Sequence, residues 1–106
     1  MLVLLPPSEG KSAPRRGRPL DLAGLSFPEL HAARSEVLEA LVDLSTTLPT
    51  ADVAGVLGLG ATQHDLVQRN AVLTTAPTSR ADRVYSGVLY ESLDPRSRRQ
   101  RDAAVT

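Results

Sequence analysis

The chain contains no cysteine and no tryptophan, and only 3% of its 106 residues are aromatic. Without cysteine it can form neither a disulfide nor a thiolate metal site. Its aromatic residues, Phe27, Tyr85 and Tyr90, are few for a core, because aromatic side chains bury the largest area per residue. We therefore expect a core built mainly from leucine and valine.

Long apolar segments are absent as well. No run approaches the ~20 residues of a membrane-spanning helix, and the apolar residues 2–5 are too few for a signal peptide and follow no basic residue. We therefore expect a cytosolic protein. Its basic and acidic residues cancel, but the charge is uneven along the chain, because several arginines lie close together near its end: Arg96, Arg98, Arg99 and Arg101.

The apolar pattern predicts an α+β fold in a single domain. Residues 2–5 form a continuous apolar run before two prolines, which is typical of a strand buried on both faces. Residues 83–85 predict a second, short strand, and residues 88–93 predict a helical turn or two. Asp94 and Pro95 then predict the start of a last, basic helix.

A longer helix is predicted from Ser26, whose hydroxyl can cap the first turn while Glu29 reaches back to it. Downstream, apolar residues recur at spacings of three and four, and this pattern predicts one buried stripe: Leu30, Ala33, Val37, Leu41 and Leu44. We expect this helix to pack on a core and to expose its charged residues to water.

Two shorter helices are predicted over residues 51–57 and 61–73, joined by Leu57, Gly58, Leu59 and Gly60. This apolar-glycine-apolar-glycine form is typical of a helix-hairpin-helix, whose backbone N–H groups hold a DNA phosphate. The same glycine pair suits any tight helical turn, because glycine readily adopts the left-handed conformation that ends a helix. The sequence alone favours the structural turn.

The first polar segment contains Gly-Lys-Ser at residues 10–12, the last three residues of a phosphate-binding loop. The rest of that motif is missing. Leu5 stands where the first glycine should be, the two prolines that follow have no N–H to donate, and Pro14 prevents the usual long helix. We therefore reject a nucleotide site of this type.

Lys11 is the chain's single lysine, and it has Ser8, Glu9 and Ser12 as neighbours in sequence. At the end of a strand, such a lysine can bind a phosphate or act as a base or nucleophile on a phosphate-bearing substrate. The alternative is a solvated loop lysine that pairs loosely with Glu9. Both interpretations are open at this point.

No metal or cofactor site is predicted. The two histidines, His31 and His64, are far apart in sequence and have no cysteine to complete a ligand set. The arginines near the end of the chain could contact phosphates through their forked donors, although an exposed helix face is the commoner meaning of such a run.

Several segments together resemble the YaaA peroxide-stress-response family: Leu-Val-Leu-Leu-Pro-Pro-Ser-Glu-Gly-Lys at residues 2–11, Leu-Ser-Phe-Pro-Glu-Leu at 25–30, Arg-Asn-Ala at 69–71 with Thr-Ala-Pro-Thr at 75–78, and Tyr-Ser-Gly-Val-Leu-Tyr at 85–90. They follow the family's order and spacing and span nearly the whole chain. Members of this family are cytosolic bacterial proteins associated with survival of hydrogen peroxide, through a low level of free intracellular iron and through DNA binding by a basic cleft and a helix-hairpin-helix.

The resemblance implies a signature loop at residues 7–11, carried by Pro7, Ser8, Glu9 and Lys11. It also implies that double-stranded DNA contacts a set of glycines and basic residues: Lys11, Gly58, Gly60, Arg96, Arg98 and Arg99. Family members are more than twice as long as this chain. We therefore expect the chain to be the amino-terminal part of a single YaaA-like domain, with the missing carboxy-terminal half as its partner.

The function that the resemblance implies is protection of DNA and proteins during peroxide stress, with DNA binding and without a cofactor. Two alternatives remain at this point. One is an enzyme that acts on a phosphate-bearing or nucleotide substrate through the Lys11 loop, and the other is an inactive fragment.

Overall fold

The computed structural model describes residues 4–94, which fall into two compact units. One unit contains residues 4–17 and 77–94, and the other contains residues 18–76. Helices and a small antiparallel sheet are both present, so the predicted α+β class is confirmed. In chain order the elements are β1 (Gly10–Lys11), α1 (His31–Thr47), α2 (Thr50–Val56), α3 (Asp65–Ala71), α4 (Ala81–Val84), β2 (Tyr85–Ser86) and α5 (Val88–Leu93).

The unit of residues 18–76 is helical, and its core lies where α1, α2 and α3 meet. Val53 and Ala54 of α2 and Val67 of α3 are buried there. Three half-buried leucines surround them: Leu44, Leu57 and Leu59. The expectation of a core built from leucine and valine is confirmed for this unit.

Helix α1 begins at His31, five residues later than predicted, after a 3₁₀ turn over Pro28–Leu30. The predicted cap by Ser26 is wrong, because no side chain caps α1. Proline disfavours the right-handed helical conformation in the residue before it, and Phe27 is left-handed with φ 63°. The Arg34 guanidinium donates instead to the carbonyl oxygens of Ser26 and Phe27, at 2.8 and 3.1 Å.

The buried stripe predicted along α1 is only partly right. Leu30 and Val37 are exposed, Val37 by 68%, whereas the inward face includes the half-buried Leu38 and Leu41 and the buried Ser45. In the first half of α1 the inward face is shifted by one residue, from the predicted Val37 to Leu38. A serine at a core position carries no apolar signal, so the sequence pattern gave the neighbouring Leu44, which is half-buried, and not Ser45.

The second hairpin helix is also shorter than predicted. Residues 61–63 form a separate 3₁₀ turn, and α3 covers Asp65–Ala71 rather than residues 61–73. The shorter helix before it matches the prediction closely, because α2 runs from Thr50 to Val56.

The unit of residues 4–17 and 77–94 is organised around the sheet, in which β1 and β2 pair antiparallel. Gly10 lies opposite Ser86, and Lys11 lies opposite Tyr85. The backbone N–H of Ser12 continues the pairing by donating to the carbonyl oxygen of Val84 at 2.8 Å. The first segment of this unit is therefore tied to its second segment by backbone hydrogen bonds.

The predicted positions of the strands need correction. Residues 2 and 3 lie outside the described residues, and Leu4 and Leu5 are irregular and exposed, by 79% and 45%. A strand requires ladder partners, and the backbone pairing occurs further along, at β1. The predicted second strand begins two residues later, at Tyr85–Ser86, after a helical turn over Ala81–Val84.

Helix α5 over Val88–Leu93 confirms the helical turns predicted there. It ends at Asp94, which has a positive φ of 40°. The basic helix predicted after Asp94 lies outside the described residues. Across residues 4–94, every helix is too short or too polar to cross a membrane.

Candidate functional site

The signature loop, residues 7–11, is anchored by Ser8, which is only 2% exposed. The Ser8 hydroxyl accepts a hydrogen bond from the backbone N–H of Ser86 at 3.3 Å. Its own proton lies within hydrogen-bond reach of the carbonyl oxygens of Gly10 and Ser86, and one hydroxyl proton serves one of them at a time. Ser8 therefore fastens the loop to β2 rather than offering a free nucleophile.

Lys11 follows at the end of the loop, and its residue is exposed. Its ammonium group donates a hydrogen bond to the carbonyl oxygen of Ser8. The same nitrogen lies 5.6 Å from the centroid of the Tyr85 ring, within the range of a cation–π interaction. These contacts hold the positive charge of an exposed lysine beside the loop, and both sequence interpretations of Lys11 stay predictions.

Glu9 lies on the exposed side of the loop, close to Gly87. A Cβ atom at Gly87 would come within 3.1 Å of the Glu9 Oε1 atom, and Gly87 has a φ of 99°. Both facts favour glycine at this position, because left-handed backbone and a close neighbour each disfavour a side chain. The glycine of the Tyr-Ser-Gly-Val-Leu-Tyr segment thus makes room for the signature loop.

The two tyrosines contact the signature loop and Pro6 just before it. Tyr90 is 8% exposed, and its hydroxyl donates a hydrogen bond to the carbonyl oxygen of Pro6. The rings of Tyr85 and Tyr90 meet edge to face with centroids 5.2 Å apart. The described residues 4–11 and the segment at residues 85–90, which the sequence linked only through a resemblance, therefore form one structural site.

The glycine hairpin, residues 57–60, closes α2 with a Schellman motif. Gly58 is left-handed with φ 65°, its N–H bonds to the Gly55 carbonyl at 3.3 Å, and the Leu59 N–H bonds to the Ala54 carbonyl at 2.8 Å. Leu57 and Leu59 pack on the core. The structural turn that the sequence favoured accounts for these contacts.

The backbone groups that would hold a DNA phosphate in this hairpin already have partners. The Gly60 N–H donates to the Gln63 Oε1 atom at 2.9 Å, and the Gly58 N–H bonds within the turn. Helix α3 also begins with Asp65, whose carboxylate pairs with Arg69 at 3.1 Å and would repel a phosphate at this helix end. DNA contacts at Gly58 and Gly60 stay a prediction.

The other residues considered in the sequence are the clustered arginines and the two histidines. Arg96, Arg98 and Arg99 lie outside the described residues. His31 is the exposed first residue of α1, and His64 is the exposed residue before α3. Within residues 4–94 no three histidine, aspartate or glutamate side chains lie close enough together to hold a metal ion.

Sequence reasoning missed the residues that join the two halves of the site. The Ser86 N–H donates to the hydroxyl of Ser8, which is 78 positions away in the chain. The Tyr90 hydroxyl donates to the carbonyl oxygen of Pro6, which is 84 positions away. Of these residues only Gly87 could be recognised from the sequence, because a glycine between two short predicted elements indicates a turn with unusual backbone angles.

Comparison with curated proteins finds close relatives of this chain. It is 48% identical over 94 residues to a UPF0246 protein of Streptomyces coelicolor, which covers 89% of the chain and 36% of that protein. A UPF0246 protein of Corynebacterium efficiens is 45% identical over 93 residues, 88% of the chain and 36% of the relative. A UPF0246 protein of Corynebacterium glutamicum is 42% identical over 94 residues, which are 89% of the chain and 37% of the relative.

The chain belongs to the UPF0246 family. This is the YaaA family, so the resemblance drawn from the motifs is confirmed, and the chain matches an amino-terminal portion of a member. It spans little more than a third of the length of these UPF0246 relatives. The names of the relatives state no activity, ligand or partner. No family model and no solved structure matches the chain.

Proposed function

We propose that the chain is part of a UPF0246 protein that protects DNA and proteins during peroxide stress and binds double-stranded DNA. In this proposal the protein also lowers the level of free intracellular iron. Membership of the YaaA family supports the first part. The observation that carries DNA binding is the position of Lys11, an exposed cation held beside Tyr85 by the folded signature loop.

A cation held in one place contacts a phosphate at a smaller entropic cost than a lysine on a mobile loop, because fewer rotamers are lost on binding. Lys11 has both properties that such a contact needs, exposure and a defined position. The glycine hairpin contributes less to the proposal, since the N–H groups of Gly58 and Gly60 are already bonded.

The test is a fluorescence-polarisation titration of the chain with a labelled DNA duplex at several salt concentrations. Each phosphate contact releases counterions, so log affinity falls linearly with log salt by about 0.9 per contact. We expect Lys11→Ala to weaken binding and to flatten this slope by about one unit.

Lys11→Arg is the matched control, because it keeps the charge and should keep the slope. Affinity without any salt dependence in the unsubstituted chain would contradict DNA binding as proposed. An unchanged slope in Lys11→Ala would contradict the role of Lys11 alone.

A further inference from the structure

A polar groove lies within the unit of residues 4–17 and 77–94, separate from the loop contacts of Lys11. Its volume is ≈ 500 Å³. The lining contains three guanidinium groups, two hydroxyls and one carboxylate, contributed by two segments of the chain: Ser12, Arg15, Arg16, Ser79, Asp82 and Arg83. Arginine and serine side chains in one concave surface are donors suited to an anion.

The two walls of the groove come together at both ends of the loop formed by residues 12–17. At one end the Ser12 N–H donates to the Val84 carbonyl oxygen at 2.8 Å. At the other end Gly17, with φ 145°, approaches Thr78 so closely that a Cβ atom would lie 2.2 Å from the Thr78 carbonyl oxygen. The loop is therefore bonded to the opposite wall at one end and lies close to it at the other. Its side chains start from a preorganised backbone.

The groove lining contains three positively charged side chains and one negatively charged one. Asp82 has a side chain only 12% exposed, and it already pairs with the Arg80 Nε atom at 3.0 Å. Arg15, Arg16 and Arg83 are exposed. Like charges in one concave surface repel each other and raise the local attraction for an anion.

We propose that this groove binds the phosphate group of a small phosphorylated molecule of about the size of a nucleoside monophosphate. Guanidinium groups match phosphate oxygens through paired donors. The groove volume lies within the range of ~300–1,000 Å³ common to small-molecule sites. The serine hydroxyls of the lining can bind the hydroxyls of a sugar.

Isothermal titration calorimetry at 10 °C tests this with adenosine 5′-monophosphate, inorganic phosphate and adenosine as separate probes. We expect the monophosphate to bind, inorganic phosphate to compete with it, and adenosine to bind at least about tenfold more weakly, because it lacks the anion. Equal binding of adenosine and its monophosphate would overturn the proposal.

Variants on both walls locate the site. Arg15→Gln with Arg16→Gln, and separately Arg83→Gln, should each weaken monophosphate binding by about tenfold or more, since each removes charge-assisted hydrogen bonds. Arg18→Gln is the control, because it removes the same charge next to the loop but outside the groove lining. Circular dichroism identifies any variant that fails to fold. If one wall variant fails, the binding measured for the variant on the other wall decides the result.

An equal loss in Arg18→Gln, or no loss in either wall variant, would contradict the groove as the site. A duplex that displaces the monophosphate at a lower concentration of phosphate groups would show that the groove belongs to a DNA-binding surface, which also overturns the small-molecule proposal. The DNA titration of Lys11→Ala tests the proposed function, and the calorimetry tests the groove. Either proposal can therefore fail without the other.

Discussion

At the scale of single residues, two buried serines have opposite roles. Ser8 is 2% exposed and bonds to the backbone N–H of Ser86 at 3.3 Å. Ser45 is 9% exposed, and its hydroxyl has no hydrogen-bond partner among the described residues. A buried hydroxyl stabilises a fold only when it is bonded. Ser8 therefore holds the site together, while Ser45 is a polar group in the packed face of α1.

Ser8→Ala should loosen the pairing of β1 with β2. The variant removes the hydroxyl that accepts from the half-buried Ser86 N–H, and a hydrogen bond of this kind contributes about 0.5–1.5 kcal/mol. The measurement is amide hydrogen exchange at Ser12, whose N–H bonds across to Val84. We expect its exchange to accelerate on the order of tenfold.

Ser92→Ala is the control for this measurement, since Ser92 is an exposed serine on α5 of the same unit. Its amide exchange pattern should match the unsubstituted chain. Unchanged exchange at Ser12 in the Ser8 variant would show that the loop is held by other contacts.

At the scale of elements, α2 contains a matched pair of valines. Val53 is fully buried in the core against Val67, whereas Val56, one turn later on the same helix, is 68% exposed. We expect Val53→Ala to destabilise the chain by about 1–3 kcal/mol, from lost burial and a residual cavity. Val56→Ala should stay within ~0.5 kcal/mol.

Urea titrations followed by helical circular dichroism compare the two valine variants, and the expected result is a lower midpoint for Val53→Ala alone. Equal midpoints would mean that the three-helix contact is not the source of stability for this unit.

How far the sequence predicts an element depends on where its signal lies. Helix α2 and helix α5 were predicted almost to the residue, because local breakers mark their ends. Helix α1 was predicted with the wrong start, because Pro28 disfavours a helical conformation at Phe27 and the cap pattern at Ser26 does not take this into account.

At the scale of the whole molecule, few side chains are completely covered. The buried apolar residues among those described are Val53, Ala54, Val67 and Tyr90. Exposed large apolar residues are more numerous, and they include Leu4, Phe27 and Val88. Burial of so little apolar surface leaves a small surplus over the roughly 1.5 kcal/mol per residue that ordering costs.

We therefore expect the 106-residue chain to show helical circular dichroism but a broad thermal transition with a small unfolding enthalpy. Differential scanning calorimetry measures this directly. Addition of the remaining part of a UPF0246 polypeptide should sharpen the transition, because it would cover exposed apolar side chains. A sharp transition of the chain alone, with the enthalpy usual for about 100 residues, would contradict this expectation.

The sequence by itself determined the family, the α+β class, the leucine and valine core and the glycine turn after α2, because each depends on residue identity, local spacing or periodicity. Only the tertiary structure decided that β1 forms at Gly10–Lys11, that Ser8 is bonded to Ser86 and that Arg15, Arg16 and Arg83 line one groove. These residues are joined across roughly 70 positions of the chain, and contacts over such separations follow from chain closure and packing, which leave no local signal in the sequence.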